Sequence, residues 1–245
     1  MAQPMPDGTV LIVGSQCELH PDGPDQNAVV LEANGAVLRR ATLGHGVDHL
    51  QTTASGEVWA GYADEGIYGN WGWGDPDLLG PDGQPVLPIG WSGLVRFGRS
   101  LSAEWEFDAR GAAGREALGD ERPFIDGVLA LNVIRETAWI YYFSAHAVAR
   151  VEDDGTRLWA TGREGGGLLL VAGDRVAFVG GYPPEHDQIT IGRLGEHRFE
   201  PSSAARLVLP DGSPLPPAAR LVGRGSTLHV INDRTRLRLD LESVV

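Results

Sequence analysis

Apolar positions in this chain fall in short continuous or alternating runs broken by glycine-bearing turn pairs, and few stretches carry helical spacing. That pattern predicts many short strands. Four hairpins are legible. Ala28 to Glu32 and Ala36 to Arg40 flank Asn34-Gly35, a pair that tolerates the positive φ of a tight hairpin turn. Leu50 to Thr53 and Val58 to Tyr62 flank Ser55-Gly56, and Leu168 to Ala172 and Val176 to Gly180 flank Gly173-Asp174. Ala147 to Glu152 and Thr156 to Ala160 turn at Asp153-Asp154-Gly155.

The second strands of successive hairpins repeat. Val58-Trp59-Ala60-Gly61-Tyr62 is followed by Ala138-Trp139-Ile140-Tyr141-Tyr142 and Ala177-Phe178-Val179-Gly180-Gly181. Thr227 to Ile231 is a fainter copy, and Val10 to Gly14 is read as a fifth. Four-stranded units repeating in this way predict propeller blades. The expected fold is all-β: one β-propeller domain over residues 1–245, with about five four-stranded blades and six as the alternative. Units are expected at 9–43, 47–109, 124–161, 167–211 and 219–241. The first and last are each one strand short, or closed between the chain ends, and a loop insertion occupies about 69–92.

Asp64-Glu65-Gly66 after Gln51 to Tyr62, and Leu129-Ala130-Leu131-Asn132-Val133 before Trp139 to Tyr142, resemble the repeats of bacterial propellers. The resemblance is to the propeller repeats of sensor proteins and, more loosely, to gluconolactonase-like propellers. It implies the fold. The divalent-metal ligands of the lactonase-like group have no residue-by-residue counterparts here.

Charge narrows the partners. The formal net charge of −13 opposes nucleic acid and anionic membranes, whose binding rests on basic side chains. No segment is apolar for long enough to span a bilayer as a helix, and the N-terminal residues lack signal-peptide character, so a cytoplasmic location is expected. All 20 basic residues are arginine, which removes Schiff-base chemistry, a lysine base and a P-loop lysine. Cys17 is the single cysteine, so neither an intrachain disulfide nor a four-cysteine zinc site is available. Gly165-Gly166-Gly167 precedes a strand rather than a helix and makes no phosphate cradle.

Loop length selects a face. Turns between first and second and between third and fourth strands are short, whereas the opposite loops are long and rich in polar and aromatic residues. Function concentrates on such loops. Asp48 and Asp126 precede the innermost strands of their units and are expected to project toward a central channel. With His49 and His146 they form the candidate catalytic set, and the two aspartates are candidate ligands for a divalent cation, the single cofactor the pattern suggests. Asp64, Glu65, Trp71, Trp73 and Tyr142 are the candidates for binding a ligand or partner. Trp91 closes the same insertion. Glu185-His186-Asp187, after Pro183-Pro184, reads as an exposed turn.

Three functions are compatible with this. One is a binding or interaction scaffold using the acidic, tryptophan-bearing face, with a protein or small molecule as partner. Another is a channel-centred enzyme, a metal-assisted hydrolase of lactonase type or a lyase. The third is a structural subunit whose Arg220, Arg224, Arg234, Arg236 and Arg238 face a neighbour's acidic loops.

Overall fold

A computed structural model describes residues 1–108, 111–113, 118, 124–165, 167–182, 184–232 and 235–244. Arg234, Gly166, Pro183 and the end of the expected second unit at 109 lie outside them.

Five antiparallel sheets follow one another along the chain, the blades of a five-bladed all-β propeller fold. Blade 1 contains β1 (Ala2–Pro4), β2 (Val10–Val13), β5 (Ala28–Leu31) and β6 (Val37–Ala41), with a two-stranded ribbon of β3 (Leu19–His20) and β4 (Gly23–Pro24) between β2 and β5. Blade 2 is β7 (Val47–Thr52), β8 (Val58–Tyr62), β9 (Leu94–Phe97) and β10 (Ala103–Glu106). A helix, α1 (Asp64–Tyr68), opens the long connection between β8 and β9. Blade 3 is β11 (Val128–Ile134), β12 (Thr137–Tyr142), β13 (Ala147–Glu152) and β14 (Gly155–Ala160). Blade 4 is β15 (Leu168–Ala172), β16 (Arg175–Val179), β17 (Gln188–Leu194) and β18 (Phe199–Arg206). Blade 5 has three strands, β19 (Arg220–Arg224), β20 (Thr227–Asn232) and β21 (Thr235–Asp240).

The chain packs as two compact units, Met1–Arg110 with Phe124–Val128, and Gly111–Pro123 with Leu129–Val245. The first holds blades 1 and 2, and the second blades 3 to 5. The expected shortfall of the first unit is corrected: β1 supplies its fourth strand, pairing Ala2 with Ile12 and Pro4 with Val10. Among the described residues blade 5 is one strand short, as expected.

The visible repeat has a physical cause. β8 is buried at every position and β12 at all but its first, and each lies inside its sheet between two paired strands. Strands buried on both faces read as near-continuous apolar runs. Outer strands face water: β18 is buried only at Phe199, and it carries Pro201 beside a bulge, a placement reserved for edges. The open edge of β21 carries exposed Arg236 and Arg238, with Arg238 paired to Asp240 at 3.2 Å. Edge charges of this kind oppose strand addition.

Cross-strand registry turns the arginine bias into packing. Trp59 stands opposite Arg96 and Trp139 opposite Arg150, and in each pair the guanidinium lies over the indole, at 5.6 and 5.8 Å. A planar guanidinium stacks on an aromatic face better than an ammonium does. Trp59 also meets Trp105 edge-on at 5.3 Å, while Trp139 stacks on Trp159 at 6.0 Å. Asn27 and Asn132 act as backbone clamps. Asn27 donates to Gly14 O and Gly44 O and accepts from Leu43 N–H, all within 2.9 Å, and so fixes the turn that leads into blade 2. Asn132 does the same among blades 3, 4 and 5.

Candidate functional site

The geometry of the first unit begins at two glycines. Gly46 has φ of 72°, and a Cβ there would lie 2.5 Å from Gly66 N; one on Gly66 would lie 2.4 Å from His45 O. Backbone therefore meets backbone, and α1 seats directly on the turn before β7. Ala63 N–H donates to Gly46 O at 2.9 Å and fixes the entry of the helix. Ile67 is buried beneath it, and Tyr68 is left projecting at its end.

Tyr68 forms one wall of a cleft of about 690 Å³. Ile67, Leu87, Pro88, Trp91, Phe107, Phe124 and Ile125 supply most of the remaining apolar lining, and Asp108 and Ser92 are its polar members. The segments meet through close approaches: a Cβ on Gly90 would lie 2.3 Å from the Tyr62 ring, and one on Gly93 would lie 2.4 Å from Ile125 Cβ. Trp91 Nε1–H donates to Glu106 Oε2 at 2.9 Å, and the Tyr68 hydroxyl donates to Asp126 Oδ1. Both aromatic side chains thus spend their one N–H or O–H on a carboxylate and keep their ring faces apolar. Size and lining are those of small-molecule sites.

Beside α1 lies a second constellation. His45 is buried, and its Nδ1 accepts the Cys17 backbone N–H at 3.2 Å. That leaves the proton on Nε2, which faces Glu65 Oε2 at 3.3 Å. Exposed Trp71 tilts over the imidazole at 6.3 Å, and Trp73 Nε1–H donates to Cys17 O at 2.8 Å. Burial pushes the Cys17 thiol up to about 11, so it is no nucleophile. An unfolded thiol titrates near 9.0, so the protonated thiol's contribution to stability is full below that pH and is lost as pH climbs toward 11. At pH 8 a disulfide reagent should label native Cys17 at least about 100-fold more slowly than the urea-unfolded chain, the ratio of thiolate fractions. Stopped-flow labelling checks this, and near-equal rates would contradict the buried thiol.

The residues singled out from sequence are distributed as follows. Asp48 is the second residue of β7, exposed, at a bulge, with Oδ2 3.8 Å from His49 Nε2. His49 Nε2–H donates to Val128 O at 3.0 Å, and burial holds its pKa below the usual histidine value. Asp126 is joined to Tyr68 instead, two residues ahead of β11. His146 belongs to the other unit, in a turn with φ of 44°, its ring against Tyr141 and Phe143 and its Nε2 buried without a hydrogen bond. The four candidate catalytic residues are therefore not one constellation within either unit. Among the described residues no three His, Cys, Asp or Glu side chains converge as a metal site.

Of the binding candidates, Asp64 opens α1 and accepts from the adjacent Glu65 N–H at 2.9 Å, and Glu65 is engaged by His45. Trp71 is exposed. Trp73 packs inward with Cys17 and Leu19 because its indole N–H finds the Cys17 carbonyl. Tyr142 is fully buried at the end of β12, and burial raises its hydroxyl far above the usual value. Tyr68, Phe107, Asp108 and Phe124 went unread as site residues. The one signal for any of them was the place of Tyr68 directly before the insertion that ends at Trp91.

No protein-family model matches the chain, and no curated protein matches its sequence. Solved structures are similar in fold. A virginiamycin B lyase from Staphylococcus aureus shares 12% identity over 95% of this chain and 66% of its own, with a TM-score of 0.45. A gluconolactonase from Xanthomonas campestris shares 10% over 98% and 70%, with a TM-score of 0.48. The hydrazine synthase of Kuenenia stuttgartiensis shares 12% over 98% and 65%, at a TM-score of 0.48. The chain thus spans just under two thirds of the lyase and of the synthase.

Proposed function

We propose that the protein is a binding scaffold built on a bacterial propeller repeat, and that the aromatic cleft of its first unit is where a small-molecule ligand sits. One observation carries this reading. Tyr68, Leu87, Trp91 and Phe124 are 64, 64, 50 and 43% exposed, and all four line one cleft. Exposed apolar groups scattered singly need no explanation, but convergence on a single concavity marks a site. The insertion and the acidic loops expected to carry the function contribute to this cleft, with Trp91 and the Tyr68–Asp126 pair in place of Trp73 and Tyr142. The hydrolase or lyase reading draws no comparable support, since His49 and Asp126 are committed to Val128 O and Tyr68.

The test is a thermal-shift screen of aromatic and amphipathic compounds on the wild-type chain, repeated with Trp91→Ala and Tyr68→Ala. Compounds that stabilise the wild type should lose at least about tenfold in affinity on Trp91→Ala, the usual loss for an aromatic anchor. A screen whose compounds bind both variants undiminished, or that yields no cleft-dependent compound, overturns the reading.

A further inference from the structure

The cleft has a chemical preference beyond apolar. Among its described lining residues the one charged side chain is Asp108, and none is basic. Two further carboxylates stand behind its walls, Glu106 on the Trp91 indole N–H and Asp126 on the Tyr68 hydroxyl. A ring that donates its proton to an anion gains electron density, which deepens the negative potential over its face. That face attracts cations. An aromatic wall backed in this way, with an acidic rim and a chain of net charge −13, is complementary to positive charge.

The wall also says which kind of cation. A lining of rings and aliphatic side chains with Asp108 and Ser92 as its described polar members cannot replace the full water shell of a primary ammonium or a metal ion, so a strongly hydrated cation would enter at a loss. A quaternary ammonium has no N–H to satisfy and spreads its charge over its methyl groups. We propose, resting on the ligand-binding reading above, that the cleft takes a small molecule bearing an alkylated ammonium group. The group is held against the faces of Trp91 and Tyr68, and Glu106 and Asp126 act as positioning residues through the two rings.

The probes are choline and its uncharged carbon counterpart, 3,3-dimethylbutan-1-ol, titrated into the intact protein by calorimetry and by indole N–H shifts. Choline is expected to bind at least about tenfold more tightly than the alcohol, in line with the strength of a desolvated cation–π contact. Glu106→Gln and Asp126→Asn should weaken choline and leave the alcohol unchanged, and Trp91→Leu should weaken both. Equal affinities for the two probes overturn the cation while leaving the cleft as a site. So does failure of choline to bind where neutral compounds from the screen bind in a Trp91-dependent way. If no compound of any charge depends on Trp91, the cleft reading beneath the inference falls as well.

Discussion

Replacing Asn132 by leucine should cost about 3 kcal/mol or more, although the two side chains have the same branched skeleton. Asn132 has no exposed surface. Its Nδ2 donates to Leu169 O and Gly225 O, and its Oδ1 accepts from Gly225 N–H, each at 2.8 Å. Leucine makes none of these bonds: Gly225 O keeps only the Val171 N–H at 3.0 Å, while the Gly225 N–H and the Leu169 carbonyl lose their Asn132 partner, each at about 1–3 kcal/mol when water cannot replace it. The cost should appear as a lower urea midpoint and, more specifically, as lost hydrogen-exchange protection at the Gly225 amide. A shift below about 1 kcal/mol, with Gly225 still protected, would mean that the clamp is dispensable.

The second large effect is expected at Gly46→Ala. An L-residue at φ of 72° carries a conformational cost of about 1–2 kcal/mol. Overlap adds to it, because the new methyl would stand 2.5 Å from Gly66 N and 2.6 Å from Gly66 Cα, both backbone atoms that cannot swing aside. α1 must move, and Tyr68 with it. A total near 4 kcal/mol is expected, together with loss of any ligand that depends on the cleft. Gly83→Ala separates the two terms, since Gly83 has φ of 75° but open space around it, and should lose only the conformational part. If both variants melt together, the close approach between turn and helix contributes nothing.

How much of this was legible in the sequence follows from where each feature's cause lies. Asn34-Gly35 carries its turn in its own two residues, and the hairpin of β5 and β6 forms across it. The Trp59, Trp139 and Phe178 strands were readable because double-sided burial leaves continuous apolar runs. β1 was not readable: three residues ending in proline become a strand only because β2 offers an edge. Five residues are too few for α1 to show helical periodicity, and its position is set by Gly46. Trp71 and Trp73 stand two residues apart in one glycine-rich run, and what turns one inward is the Cys17 carbonyl. The cleft was hardest to see, since Tyr68, Trp91, Phe107 and Phe124 come from four separate segments that only the folded chain brings together.

The paired indoles carry an optical consequence. Trp59 and Trp105, 5.3 Å apart at 69°, lie in the first unit; Trp139 and Trp159, 6.0 Å apart at 18°, lie in the second. Indoles this close share their excited states, and the sign and strength of the resulting circular-dichroism couplet depend on the angle between the rings. A nearly parallel pair and a nearly crossed pair give distinct signatures, so each body carries its own chromophore, and the integrity of either can be followed without a label.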